Sequence, residues 1–188
     1  MCIKKGTTGL QTSACWVSTC INSSYETNIE GRIGAREVDQ RMAKNNHSLN
    51  FWSGILFGLG MIAFIDETVF HQLLHWHHFY DKSTTDVGLV SDGLFHAFSW
   101  FATVLGLFMV AYLRKLHAWN KKRWFGAALF GAGVFQLYDG IIQHKLFGLH
   151  QIRYGVDIFY YDLVWNIGAV LFIIVGLLIM RRKRVNAG

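Results

Sequence analysis

The sequence predicts an all-α fold, a four-helix transmembrane bundle built from two parallel-repeat helical hairpins. Three observations carry this. Of 188 residues, 52% are hydrophobic and only 16% charged, where soluble domains carry about 25% charge. Mean hydropathy is +0.26. Four apolar stretches each reach the roughly 20 residues that cross about 30 Å of hydrocarbon. A pattern of glycine, aspartate and histidine also recurs between the first stretch and the third. The composition excludes a disordered chain, a collagen and a coiled coil. Zero proline leaves long helices uninterrupted.

In chain order, residues 1–48 read as a cytoplasmic N-terminal tail, expected to be disordered. It has no helical periodicity and no apolar core of a signal peptide. All three cysteines, Cys2, Cys15 and Cys20, lie here. They are expected to be reduced thiols, and Cys15 and Cys20 are wrongly spaced for a CxxC pair. Met42 opens a compact start, so the stretch before it is expected to be disordered or an over-extended gene start. Residues 49–184 form the transmembrane domain, with repeats at about 50–113 and 123–180. The expected spans run from Leu49 into Trp76, Gly93 to Leu113, Trp124 to Phe147 and Tyr160 to Met180. Short connections make neighbouring helices antiparallel. Trp52, Trp76, Trp119, Trp124, Tyr160 and Tyr161 lie near span ends as interface anchors.

Charge position sets orientation. Fifteen of the 18 basic residues fall before the first span, between the second and third, or after the fourth. The other side has only Lys82, Lys145 and Arg153. The positive-inside rule then puts both termini in the cytoplasm. The formal charge of +6 is expected to meet anionic headgroups of the lipid bilayer, not nucleic acid. Outside the tail, all eight acids belong to the opposite, outer half, as do seven of nine histidines.

The repeat is specific. Phe57-Gly58-x-Gly60-x5-Asp66-x4-His71-x5-His77 matches Phe130-Gly131-x-Gly133-x5-Asp139-x4-His144-x5-His150 at a constant offset of 73. Asp92-x3-His96 matches Asp162-x3-Asn166 at an offset of 70. An even number of spans per unit makes the repeats parallel, about an axis along the membrane normal. Gly54, Gly58 and Gly60, with Gly126, Gly131 and Gly133, are expected to let the first and third helices meet closely.

Depth turns the polar residues into a candidate site. Asp66 lies about 24 Å along a helix entered at Asn50, and His71 about 31 Å. A charge at membrane depth costs at least roughly 2.5–3.5 kcal/mol, so such groups face the bundle interior and are paired, protonated or metal-bound. His71, His75 and His78 fall on one face of an α-helix, with Glu67 a turn before. Asp66, five residues before His71, is about 140° round that helix, so it reads as a supporting acceptor that fixes a histidine tautomer. The candidate metal ligands are His71, His77, His78, His96, His144 and His150. Asp66, Asp92, Asp139, Asp162 and Arg153 are the candidate supporting shell, Arg153 as counter-ion. Imidazole and carboxylate without sulfur suit zinc, iron, nickel or copper(II). Haem held by His71 and His144 is an alternative.

The runs Asp66-Glu67-Thr68-Val69-Phe70-His71-Gln72-Leu73-Leu74-His75-Trp76-His77-His78, Asp92-Gly93-Leu94-Phe95-His96 and Asp139-Gly140-Ile141-Ile142-Gln143-His144-Lys145-Leu146 carry a resemblance. So does Leu149-His150-Gln151-Ile152-Arg153, with Asp162 after it. Over about residues 50–180 the chain resembles the predicted bacterial membrane proteins of domain-of-unknown-function family 2243. The resemblance implies a bacterial four-helix integral membrane protein and no activity. In the family's pattern glycine usually stands at Glu67 and glutamine at His75, which makes these two the weaker candidates.

The expected function is metal binding at the outer face of the bacterial plasma membrane, for storage, delivery or sensing. The alternatives are a structural or proton-handling polar network, a metal-dependent membrane hydrolase and a haem protein. A homo-oligomer or a membrane-protein partner is left open, and a transporter is disfavoured by the apolar inner halves of the spans.

Overall fold

The structure, a computed structural model, describes residues 13–181. It is all-helical: α1 (Ser13–Asp66), α2 (Thr85–Lys115), α3 (Lys121–Tyr138) and α4 (Ile158–Met180). No strand occurs among the described residues. Four segments are long and apolar enough to span a membrane, Arg36–Leu73, Thr85–Lys115, Lys121–Leu146 and Ile158–Met180. Large apolar side chains along them stand exposed, Leu94 at 69%, Phe108 at 69% and Val164 at 72%. A soluble monomer rarely exposes so much contiguous apolar surface. Facing lipid it is at no cost, and the protein is a multi-pass membrane protein.

The chain divides into two compact units, residues 1–45 and 46–188. In the first, residues 13–45 are helical and the side chains described there are exposed. α1 thus starts well before Leu49, inside the stretch expected to be an unstructured tail. With no proline and the span itself as nucleus, that stretch carries no strong stop signal. The expectations for Cys2, Lys4, Lys5, Arg182, Lys183 and Arg184, and for the side chains of Cys15, Cys20 and Arg32, lie outside the described residues.

In the second unit the sequence places its own caps. Thr84, Asn120 and Asp157 accept from Val87 N, Arg123 N and Phe159 N at the starts of α2, α3 and α4. Buried Asn50 fixes the α2–α3 connection. Its amide donates to Ala118 O at 2.8 Å and its carbonyl accepts from Asn120 N at 2.8 Å. Trp124, expected as an interface anchor, is instead buried against Phe57 with ring centroids 4.9 Å apart.

Glycine and alanine decide how closely the spans approach. A Cβ on Gly58 would overlap the Ala128 backbone, and one on Gly131 would lie 2.6 Å from Ile55 O. These two contacts bring α1 against α3. Between α1 and α2, Gly60 faces Ser99 and Thr103, and Gly106 faces Ser53 and Phe57. Between α3 and α4, Gly133 faces Ala169 and Ile173, and Gly176 faces Gly126 and Phe130. Each of these glycine contacts of the first hairpin thus has a counterpart in the second at the offsets of 73 and 70. With little hydrophobic drive between helices in lipid, such close backbone contact supplies the association energy. Ala63, Phe95 and Phe135 form a small buried core, joined by Phe79, just beneath the polar end of the bundle.

Candidate functional site

The site begins where two helices change pitch. α1 continues beyond Asp66 as a π-helical segment, Glu67–Leu73, and α3 beyond Tyr138 as a second one, Asp139–Leu146. Leu74 N bonds to Val69 O and Phe147 N to Ile142 O, five residues back. A π turn carries residues five apart to one face. Asp66 therefore shares a face with His71, Oδ2 to Nε2 being 3.8 Å, and Asp139 with His144 at 3.1 Å. An α-helical register would turn one of each pair toward lipid at a cost of a few kcal/mol. The pitch change keeps both inside. His77 and His150 follow from the loops after each π segment.

The ring nitrogens divide into two kinds. On the outward side, His77 Nδ1 donates to Ile152 O at 3.0 Å, and His150 Nδ1 to Phe79 O at 2.9 Å. These bonds are reciprocal, since residue 152 is 79 plus 73 as 150 is 77 plus 73. A carbonyl only accepts, so each bond assigns the proton to Nδ1 and leaves Nε2 with a bare lone pair. His71 Nδ1 faces Asp92 Oδ1 at 3.1 Å and Glu67 Oε2 at 2.8 Å. His144 Nδ1 is buried without a hydrogen-bond partner among the described residues, 3.8 Å from Asp162 Oδ1. Facing inward, His144 Nε2 and His150 Nε2 are 3.1 Å apart. His71 Nε2 is buried without a hydrogen-bond partner among the described residues. Metal-bound histidines show this arrangement, the second nitrogen donating to a carboxylate or a backbone carbonyl.

Four imidazoles thus run in a row. Ring centroids are 4.4 Å apart for His71–His77, 4.6 Å for His77–His150 and 4.7 Å for His144–His150. The middle pair is stacked within 4° of parallel. Donor atoms within 4.8 Å of one another gather as Asp66, His71 and His77, as Asp139, His144 and His150, and as Glu67, His71 and Asp92, all buried. Burial is the main cause holding both loop histidines below the ordinary histidine range. Neighbouring imidazoles add to it, His150 foremost for His77. His77 is lowered to about 2 and His150, with Asp139 partly opposing, to about 4. Both imidazoles are neutral at neutral pH.

Asp92 organises the surroundings of the first half. It accepts from His71 Nδ1, from His78 Nδ1 at 2.6 Å and from Phe79 N at 2.7 Å. Gln72 Nε2 holds Glu67 Oε1 at 2.8 Å. In the second half Lys145 bonds to Asp162. Asp81 N donates to Leu149 O at 3.1 Å and Lys82 Nζ to Phe147 O at 2.7 Å, tying together the loops that follow the two π-helical segments.

Several expectations need correction. Asp66 stands among the donor atoms and not behind them, because the intervening residues are π-helical. Glu67 is fully buried against His71 and belongs to the cluster. His75 does not: the helix ends at Leu73, and His75 is exposed at a φ of 50°. For the same reason His78 is not on one face with His71. It supports Asp92 from outside the donor sets. His96 packs on Phe64, 5.2 Å between centroids, away from the cluster. Arg153 makes no ion pair among the described residues. It lies 4.8 Å over the Trp76 ring and donates to Tyr161 Oη at 2.8 Å. Sequence reasoning missed the carbonyls of Phe79 and Ile152, which carry no residue-type signal, and under-weighted Glu67.

A family model described as "Predicted membrane protein (DUF2243)" matches residues 53–183. No curated protein and no solved structure matches the chain.

Proposed function

We propose that this chain, which belongs to the DUF2243 family of predicted membrane proteins, binds a transition metal in the His/Asp cluster at one end of its bundle. The observation that carries the reading is the nitrogen pattern. His77 and His150 have Nδ1 tied to a carbonyl and His71 has Nδ1 tied to carboxylates. Their Nε2 atoms, with that of His144, are left to the interior. Two imidazole nitrogens, of His144 and His150, face each other at 3.1 Å, close to the roughly 3.4 Å that separates two ligands on a tetrahedral ion with bonds of about 2.1 Å. Nitrogen and carboxylate donors suit zinc, iron, nickel or copper(II). Rings only 4.4–4.7 Å apart favour a bare ion over a haem, whose macrocycle needs more room between its axial histidines.

The basic residues Arg114, Lys115, Lys121, Lys122 and Arg123 lie at the opposite end from the cluster. Positive-inside orientation then makes the site outward-facing, with both termini cytoplasmic. The matched contacts of the two hairpins support descent from one duplicated hairpin. The role that fits best is metal handling: storage, delivery or sensing. A second reading, metal-dependent hydrolysis of a lipid-borne substrate, is favoured by one observation. A lateral cleft of about 560 Å³, lined by Leu59, Leu94, Phe98, Phe135 and Gln143, also reaches Phe79 and Phe95, which pack on His150 and His71.

The test is metal analysis of the detergent-purified protein by mass spectrometry, with a visible spectrum. A stoichiometric transition metal, reduced in His71→Ala and His144→Ala, is the expected result. A Soret band would point to haem. Protein that neither carries nor takes up any ion would overturn the metal reading in favour of a structural or proton-relaying network.

A further inference from the structure

We infer that the cluster is two metal sites and takes two divalent ions per chain with unequal affinity. This rests on the metal reading above and goes beyond it in number and rank. Four histidines around one ion would place all four Nε2 atoms within a ligand shell of one another. Instead the close donor sets separate by half of the chain, Asp66, His71 and His77 in one, Asp139, His144 and His150 in the other. No close set mixes the two halves among the described residues. The stacked, nearly parallel rings of His77 and His150 stand between the sets as a shared wall. Each ring is pinned by a carbonyl of the opposite half.

Each set offers one carboxylate and two imidazoles. Three protein ligands leave a position on a four-coordinate ion for water or substrate, as catalytic and exchanging sites do. The orphaned Nε2 of His71, on a side chain almost wholly buried, gives the first set an unmet donor. In the second set the Nε2 atoms of His144 and His150 meet at 3.1 Å, with Asp139 Oδ2 3.1 Å from His144 Nε2.

The halves then differ in charge. Asp66 in the first is backed by Glu67 and Asp92, three carboxylates around one imidazole pair. In the second, Glu67 is replaced at the matching position by Gly140, whose open side faces Asn166 and Trp165. Its remaining acid, Asp162, is neutralised by Lys145. The formal balance is −3 against −1, so the first set holds its ion more tightly.

The experiment is a cobalt(II) titration of chelator-stripped, full-length protein in detergent, read by ligand-field absorption, with bound metal counted per chain by mass spectrometry. Two equivalents in two separable steps are expected. Glu67→Gln should weaken the tighter step about 10–100-fold and leave the weaker one in place. His71→Gln and His144→Gln should each retain one equivalent. Their helical circular dichroism and elution volume identify any variant that has misfolded. Electron paramagnetic resonance of the copper(II)-loaded parent, which needs no variant, should show coupling between neighbouring ions. A single equivalent with uncoupled spins would overturn the two-site inference and leave the metal reading standing. No bound equivalent would overturn both.

Discussion

Replacing Asp92 by asparagine probes the site without touching any donor of its two Asp-His-His sets. Asp92 is 1% exposed and receives three donors: His71 Nδ1 and Phe79 N on Oδ1, His78 Nδ1 on Oδ2. Asparagine has the same shape, keeps one acceptor oxygen and turns the other into a donor. Placed with its oxygen toward His71 and Phe79, the amide meets the His78 N–H head-on, and that bond is lost. The two kept bonds lose their charge assistance. Hydrogen bonds to charged groups contribute about 1.5–3 kcal/mol each, neutral ones about 1. One lost and two weakened give a destabilisation of about 2.5–7 kcal/mol. His78 is partly exposed and softens this by re-placing its own proton, so the lower half of the range is expected. The assay is denaturant-induced unfolding in detergent, followed by circular dichroism, on metal-free protein. Asp86→Asn, in the exposed first turn of the same helix, is the control and should cost under about 1 kcal/mol. If Asp92→Asn unfolds with the parent while Asp86→Asn behaves as stated, Asp92 is not the anchor described, and the orientation of His71 has another cause. Metal affinity should fall about 10–100-fold in the same variant.

Gly58→Ala should destabilise by at least about 1–3 kcal/mol, because the methyl meets Ala128 backbone and not a movable side chain. Gly93→Ala, with nothing within 4 Å, should instead stabilise by up to about 1 kcal/mol, and equal melting of the two variants would contradict the packing. His96→Ala should leave metal stoichiometry unchanged, since His96 faces Phe64; loss of a bound ion there would mean the donor sets are wrongly drawn. In metal-free protein, stability should fall with pH below about 6.5. His150 and His77 have folded values lowered to about 4 and about 2, so the unfolded chain takes up their protons first. Stability is whole above the unfolded value and is lost on acidification by about 1.4 kcal/mol per pH unit for each histidine between pH 6.5 and 4. A midpoint that holds steady from pH 7 to 5 would exclude two buried neutral imidazoles.

Much of this was legible in the sequence because it follows from composition and constant spacing. The apolar runs located all four spans, but α1 starts well before Leu49, where no breaker marks a boundary, and α2 starts at Thr85, eight residues before Gly93. The spacing Asp-x4-His-x5-His, written twice, marked the four histidines of the two Asp-His-His donor sets as candidate ligands, and Asp66 and Asp139 as their partners. The error at Asp66 came from assuming one helical pitch throughout. A separation of five residues, repeated at Asp66–His71 and Asp139–His144, was itself the sign of a π turn. It was read as an obstacle. Glu67 was discounted because a family pattern differed there, although burial beside His71 depends on this chain's own packing. His75 and His78 were over-valued because an α-helix was extended past Leu73. The bonds to Phe79 O and Ile152 O were beyond reach, since any residue type offers the same carbonyl.

Those two carbonyl bonds also set an order of events during synthesis. His77 is held by Ile152, which emerges from the ribosome 75 residues later. Until the loop between α3 and α4 has been made, His77 has no carbonyl anchor, and its ring proton is free to sit on either nitrogen. The row of four histidines is therefore completed only once the second half of the chain has joined the first. Separately expressed halves would have to find each other before either could finish its own.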